Sequence, residues 1–518
     1  MKKLLIFCLI VAALGIGFWL GQQKKVPLVD GDLILYVEKG ESEEAQSDSA
    51  EKQPTDFGVS KKSTNYQPAD SQASFPQQQQ TGSREAINES VPQQLPPPVD
   101  TSLEKVRLEQ ILASSSTQQT NIELDPELET TFSGSGKKVV LWHSYAGAEK
   151  QALYKVIKAF NAKVARDGYY VKPMAFASDR FIDALAQHSP NTNKEGPDVF
   201  IGEHPHLGNW IDNQSLIENI DFYVNDEMLD QFLPEAIEAL AYKDTVTGLP
   251  VGFLTHALFY NKDNIAQAPK DSNEMIAAAK LHTDKYANNY GLAYPYDNYI
   301  YHGILQNAFG GNIVTHEGFS LNSSKNIAAL RLLLTWHRQH QILPPPLNQR
   351  SIASLFNQGK VAMAIADIRF VQQLDGDINV GISRLPALSE ANNQPMQPWY
   401  VVEGAFLVKN SKTQDEAFEF VKYLTSPESG KVLALEGNQS PANKLVYDYD
   451  EVSESGHHMA FFHQIKQAKP LPSHPNIHLI WDPIAKAMDN AIEGTATAKE
   501  ALDTAQREVG EAIVLTGQ

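Results

Sequence analysis

A single cysteine, Cys8, occurs in the 518 residues, and it lies inside an apolar run. No intrachain disulfide can form, and a thiol-built metal centre would need other chains. Positive charge is also scarce: 43 Lys and Arg face 62 Asp and Glu, giving a formal net charge of −19. No basic stretch compensates, so the attraction to a phosphate backbone that nucleic-acid binding needs is missing. The chain has no G-x-G-x-x-G or G-x-x-x-x-G-K-S/T phosphate loop, no H-E-x-x-H and no G-x-S-x-G nucleophile elbow. These gaps assign no reaction and call for no cofactor.

Residues 4–20 are almost wholly apolar, with Lys2 and Lys3 before them and Lys24 and Lys25 after. At about 17 residues the run reaches the short end of a membrane-spanning helix. Phe18, Trp19 and Leu20 are bulky where a signal peptidase needs small residues, so residues 1–25 read as an uncleaved anchor with the body exported, cleavage being the alternative. Residues 26–136 read as a mostly disordered linker. Ser, Gln, Glu and Pro dominate it from about residue 38, and that composition buries too little apolar surface to offset ordering entropy. A short helix over 102–112 is the expected exception.

The globular body begins at Lys137. Residues 138–142 read as a strand buried on both faces, and Leu153, Val156, Ile157 and Phe160 recur at one-face helical spacing, a first βα unit. The loop between them, 143–147, holds Ser144 and Tyr145 at the carboxyl end of the strand, where open α/β sheets bind ligands. Further strands are expected at 168–171, 199–201, 361–366, 380–385 and 405–408, and helices at 179–187, 322–340 and 351–358. Asp271 with Glu274, Thr413 with Glu416, and Thr497 with Glu500 are spaced as helix caps. Pro427 suits the first position of a helix. The renewed α/β theme after Leu249 predicts a second lobe.

Several side chains are candidates for a site. Glu203, His204 and His206 invite a metal reading, but two loop histidines without a third ligand specify little, and ligand hydrogen bonding or plain loop structure competes. Tyr294, Tyr296, Tyr299 and Tyr301 surround Asp297 and Asn298, a mixture suited to stacking on an amphipathic ligand and bonding its rim, or to packing between lobes. Trp399 and Glu403 stand where a loop enters a strand, and Trp481 at a helix start. Arg369 follows a strand, where a guanidinium can grip hydroxyl pairs or a carboxylate, or form a surface ion pair.

The body resembles the bacterial extracellular solute-binding proteins of the maltose-binding type, which serve ATP-driven importers. The likeness rests on Leu141-Trp142-His143-Ser144-Tyr145, Gly196-Pro197-Asp198-Val199-Phe200, Gly248-Leu249-Pro250, Phe259-Tyr260-Asn261-Lys262-Asp263, Phe356-Asn357-Gln358-Gly359-Lys360 and Ser440-Pro441-Ala442-Asn443, in order over the whole body. It implies a two-lobed α/β periplasmic binding protein fold with an interlobe ligand cleft that closes by a hinge. The first lobe would comprise residues 137–250 and 401–450, the second 251–400 and 451–518. Implied partners are a carbohydrate ligand, ABC permease subunits and, through the N-terminal segment, the inner membrane. The resemblance places Tyr299 and Trp481 in an aromatic platform and makes Asp297 a hydroxyl-binding acid. Other positions depart from the pattern. Gly202 and Arg369 stand where platform tryptophans are expected, Pro205 and His206 replace an acid and arginine pair, Ala146 and Gly147 replace polar contacts, and Leu254 replaces a glutamate. Those departures keep open a membrane-tethered sensory or structural interaction protein with an altered cleft. A sugar hydrolase would need two carboxylates flanking one bond, and Asp297 with Glu403 is the pair the sequence offers.

Overall fold

The computed structural model describes residues 95–114, 136–188 and 196–516, together with Pro92, Phe132 and Gly134. The expected membrane anchor lies outside these residues. Among the described residues no helix is long and apolar enough to cross a membrane.

The chain enters through helix α1 (Ser102–Ser114) and then builds strand β1 (Lys137–His143), helix α2 (Gly147–Val164), β2 (Tyr169–Ala175), α3 (Ser178–Gln187) and β3 (Val199–Glu203). β1 pairs in parallel with β2 and β3, as its apolar, two-sided burial predicts. Two short strands, Ala241–Tyr242 and Thr245–Val246, then form a hairpin whose central Lys243 and Asp244 both take positive φ. That backbone matches the twist of the flanking strands, which is why the turn is tight.

The apolar run over 249–259 holds two strands. β4 (Leu249–Leu254) ends at Thr255 and His256, and β5 (Ala257–Asn261) begins a different sheet. The break is where the chain passes from one sheet to the other. It continues through α4 (Ser272–His282), β6 (Tyr290–Ala293), α5 (Tyr299–Ala308), α6 (Ser324–Leu334), α7 (Gln349–Asn357), β7 (Val361–Ala366) and β8 (Val380–Ser383). The helix expected to reach residue 340 changes to a π-helical turn at Thr335–His340 and stops at Gln341, whose φ is 53°. β9 (Trp399–Leu407) is longer than its expected apolar end and returns the chain to the first sheet. Then come α8 (Gln414–Leu424), α9 (Pro427–Gly437), α10 (Gly456–Ile465), β10 (Lys469–Pro470), α11 (Trp481–Glu493) and α12 (Ala498–Thr516).

The first sheet runs β10-β9-β3-β1-β2, with β4 also paired to β9; the second runs β8-β5-β7-β6. Helices cover both: Leu153, Val156, Ile157 and Phe160 of α2 are buried against the first, while Met275, Ile276 and Ala279 of α4 pack with the second. Two of the expected caps form, Asp271 accepting from the Glu274 N–H at 2.9 Å and Thr497 exchanging bonds with Glu500. The third does not. Thr413 makes no side-chain cap, and Glu416 turns away to pair with Lys137 on β1.

Part of the stretch ahead of Lys137 belongs to the packed body. Leu108 on α1 is buried, the Tyr290 hydroxyl donates to Glu104 Oε1 at 2.6 Å, and Lys285 stands 3.6 Å from the same carboxylate. Leu95 packs on the second core and Phe132 lies edge-on to Tyr154 of α2 at 5.1 Å.

Candidate functional site

The site is built where the strand ends of the two sheets face each other. The His143 Nδ1 at the end of β1 accepts the Tyr145 N–H at 3.1 Å, turning the chain toward α2. This brings the Tyr145 hydroxyl to Glu403, where it donates to Oε2 at 3.0 Å. Ser144, between them, is half-buried. Glu149 sits in the first turn of α2, where the helix N-terminus favours a carboxylate.

Glu203 and Glu403 are direct cross-strand partners in the β3–β9 ladder. Such partners share a sheet face, with Cβ atoms about 5 Å apart, and like charges there repel. Across the gap, Asp367 follows β7 and accepts from Arg369 Nη2 at 2.8 Å and from Gln349 at 3.2 Å. Glu203, Asp367 and Arg369 line one cavity of about 300 Å³, with Trp399, Trp481 and His256 on its walls.

The electrostatics follow from this crowding. Burial, reinforced by Glu149 and Glu203, pushes the Glu403 carboxyl up to about 8. The Glu203 side chain opens to cavity water yet lies deep between the walls, and burial raises its carboxyl too, with Arg369 opposing. Glu149 is raised by burial despite Arg369. Burial alone would raise Asp367 as well, but the Arg369 guanidinium and its hydrogen bonds hold it below the ordinary carboxylate range.

Trp399 is almost wholly buried because Gly303 lets it in: a Cβ at position 303 would stand 2.2 Å from the indole. Gly202 has a similar cause. A Cβ there would stand 2.5 Å from the Trp210 ring, so the wall that could have carried a tryptophan is filled from behind. Trp481 opens α11 half-exposed on the cavity.

Of the candidates, Glu203, Arg369, Trp399 and Trp481 line the cavity, while Tyr145 and Glu403 stand behind it, joined to each other by their hydrogen bond and to Glu203 through the β3–β9 ladder. Three candidates lie elsewhere. His204 has both ring nitrogens engaged by backbone, Nε2 donating to the Leu471 carbonyl at 2.7 Å and Nδ1 accepting the Val402 N–H at 2.9 Å. Burial pushes it down to about 4, so it is a neutral structural clasp with no free nitrogen for a ligand. Tyr299 is buried in the second core with its hydroxyl donated to Gln306, and it does not line the cavity. Asp297 does not line it either; burial raises its carboxyl, and the charges it senses are Asp489 and Lys105. Neither carboxylate of the Asp297–Glu403 pair lines the cavity. No group of three or more metal-ligating side chains gathers among the described residues.

Glu149, His256 and Asp367 escaped the sequence reading, although each left a signal. Glu149 lies just past the ligand-side loop, Asp367 two residues before Arg369, and His256 in the polar pair that splits an apolar run.

The sequence family described as bacterial extracellular solute-binding protein matches residues 155–460. The chain belongs to that family. This solute-binding protein is 25% identical over 374 residues to the maltotriose-binding protein of Pyrococcus abyssi, covering 70% of this chain and 78% of the relative. It is 24% identical over 389 residues to the galactooligosaccharide-binding protein of Bacillus subtilis, covering 72% and 89%. Its fold matches a crystal structure of a cyclo/maltodextrin-binding protein complexed with maltotetraose at a TM-score of 0.66 and 25% identity, over 74% of this chain and 98% of that one. The two-lobed α/β periplasmic binding protein fold is therefore the fold of the body, and an extracytoplasmic place is that of the family.

Proposed function

We propose that this solute-binding protein captures a carbohydrate in the cavity between its two sheets and presents it to an ABC importer. The observation that carries the reading is the cavity itself, where indoles of Trp399 and Trp481 stand with hydrogen-bonding Glu203 and Arg369. Sugars are recognised by that combination, rings supplying area against the pyranose face and charged groups bonding the hydroxyls. The matches to maltotriose-, galactooligosaccharide- and maltodextrin-binding proteins support the same class. No covalent step is assigned; ligand binding favours a closed arrangement through its greater affinity for that state.

In this reading the lobes are residues 137–250 with 401–450, and 251–400 with 451–518, and the chain passages near Thr255, Val401 and Tyr449 act as the hinge. The N-terminal segment, residues 1–25, holds the protein at the outer face of the inner membrane. Isothermal titration of the full chain with neutral mono-, di- and oligosaccharides tests capture. Mass analysis of the mature amino terminus tests the anchor: an intact Met1 or formyl-Met1 chain supports it, and a terminus beyond residue 20 removes it.

A further inference from the structure

Apart from the chain passages, the layers around the two sheets are joined by a set of bonds outside the cavity. Strand β7 of the second sheet runs into a 3-10 turn, Ile368–Gln373, which lies against the end of α9. That end packs on α2, over the first sheet. Gly437 permits the approach: a Cβ there would stand 3.1 Å from the Ala152 Cβ and 3.6 Å from the Glu149 Cα. Asn438 follows at φ 49° as the cap of α9, and its Nδ2 donates to the Ile368 carbonyl at 2.9 Å, with both residues buried. Gln372 Nε2 donates back to the Gly437 carbonyl at 3.4 Å. Arg369, on the same turn, attracts the Glu149 carboxylate at the start of α2.

These contacts form a seam between an element that covers one sheet and a turn that extends the other. If the lobes part, the amides and carbonyls of the seam pass to water, so the open arrangement strands no polar group. The bonds then add their modest net gain to the closed arrangement alone. Gly437, Asn438, Ile368 and Gln372 do not line the cavity, so they need no ligand to make these bonds. Arg369, next to Ile368, does line it. A ligand held by Arg369 therefore acts on the turn that makes the seam.

We propose that this seam sets ligand affinity from outside the cavity, with Asn438 and Gln372 as positioning residues that hold the lobes together whatever sugar is bound. The inference rests on the hinge-closure reading, in which Asn438 belongs to the first lobe and Ile368 to the second. Apparent affinity then scales with the fraction of protein that is closed.

The test uses the full chain. Asn438→Gly removes the amide, and glycine keeps the left-handed backbone of the cap. Spin labels on Lys158→Cys of α2 and Lys280→Cys of α4, both exposed positions, in a Cys8→Ser background report the distance between the layers by pulsed electron spin resonance. Isothermal titration with maltose, maltotriose and a galactotriose reports affinity. In Asn438→Gly the longer distances are expected to gain population in ligand-free protein, and Kd for every sugar that binds is expected to rise by one common factor, about threefold to tenfold. Gln372→Ala is expected to move both readouts the same way by less, and it decides the matter where Asn438→Gly does not fold. Trp481→Ala is expected to lower affinity and leave the ligand-free distances unchanged. Distances and affinities that both stay at wild-type values in the folded seam variants overturn the proposal. So does a loss confined to one sugar. A folded wild type that binds no saccharide overturns carbohydrate capture instead, and the distances alone then decide the seam.

Discussion

The His204 imidazole donates to the Leu471 carbonyl at 2.7 Å while accepting the Val402 N–H at 2.9 Å, joining the end of β3 to two separate chain segments. Ser473 Oγ adds a bond to the His204 carbonyl at 2.6 Å. All of these bonds lie beside the cavity, at the strand ends. Replacing His204 with Ala strands a buried N–H and a buried C=O and leaves a hole. The expected loss is about 2–4 kcal/mol of unfolding free energy, read by chemical denaturation. A change within about 0.5 kcal/mol would remove the clasp from the account.

Glu403 makes a pH prediction with a definite sign. Its folded carboxyl is raised from the ordinary 4.5 to about 8. The folded state therefore binds the extra proton between those values. Stability from this group is full below about pH 4.5 and is lost as pH rises through about 8. The buried histidines act in the opposite direction at lower pH, so the readout is the difference between wild type and Glu403→Gln. Moving from pH 5 to 8, the wild-type Tm is expected to fall relative to that of the variant. Parallel Tm profiles would contradict the burial and crowding described for Glu403.

The segment ahead of Lys137 contributes to stability through α1. Leu108 is buried to 1% exposure and Glu104 accepts from Tyr290. Leu108→Ala is expected to cost about 2–4 kcal/mol, as for other buried leucines. Leu103→Ala, at an exposed position on the same helix, is expected to stay within about 0.5 kcal/mol. Equal effects from the two substitutions would show that α1 does not dock as described.

Gly303→Ala tests how Trp399 reaches the cavity. With only 2.2 Å between the added Cβ and the indole, either the ring or helix α5 must move. Overpacking of this kind costs roughly 1–3 kcal/mol, and saccharide affinity is expected to fall with it. Unchanged stability and affinity would mean that the Trp399 position is not set by this contact.

The sheets were legible because buried strands write themselves as apolar runs, as in Val140, Leu141 and Trp142 or Val361 to Ala366, and α2 because its apolar residues recur on one face. The Thr413–Glu416 cap was misread because spacing alone does not reveal that Lys137, far away in sequence, competes for the glutamate. The site was only half legible. Residues on strand ends, such as Glu203 and Arg369, could be placed by their position in the βα pattern. His204 could not, since its two bonds are to backbone atoms nearly 200 residues and more than 260 residues away. Tyr299 and Asp297 matched a family pattern, yet the helix α5 start turns them into packing and toward Asp489 and Lys105.

Carbohydrate capture in the cavity is tested most directly by titrating the full chain with neutral saccharides, in wild type and in Trp481→Ala. The account predicts saturable, single-site binding of one saccharide class, weakened about tenfold or more when the indole at the cavity wall is removed. A correctly folded wild type that gives no saturable heat with any saccharide would contradict it.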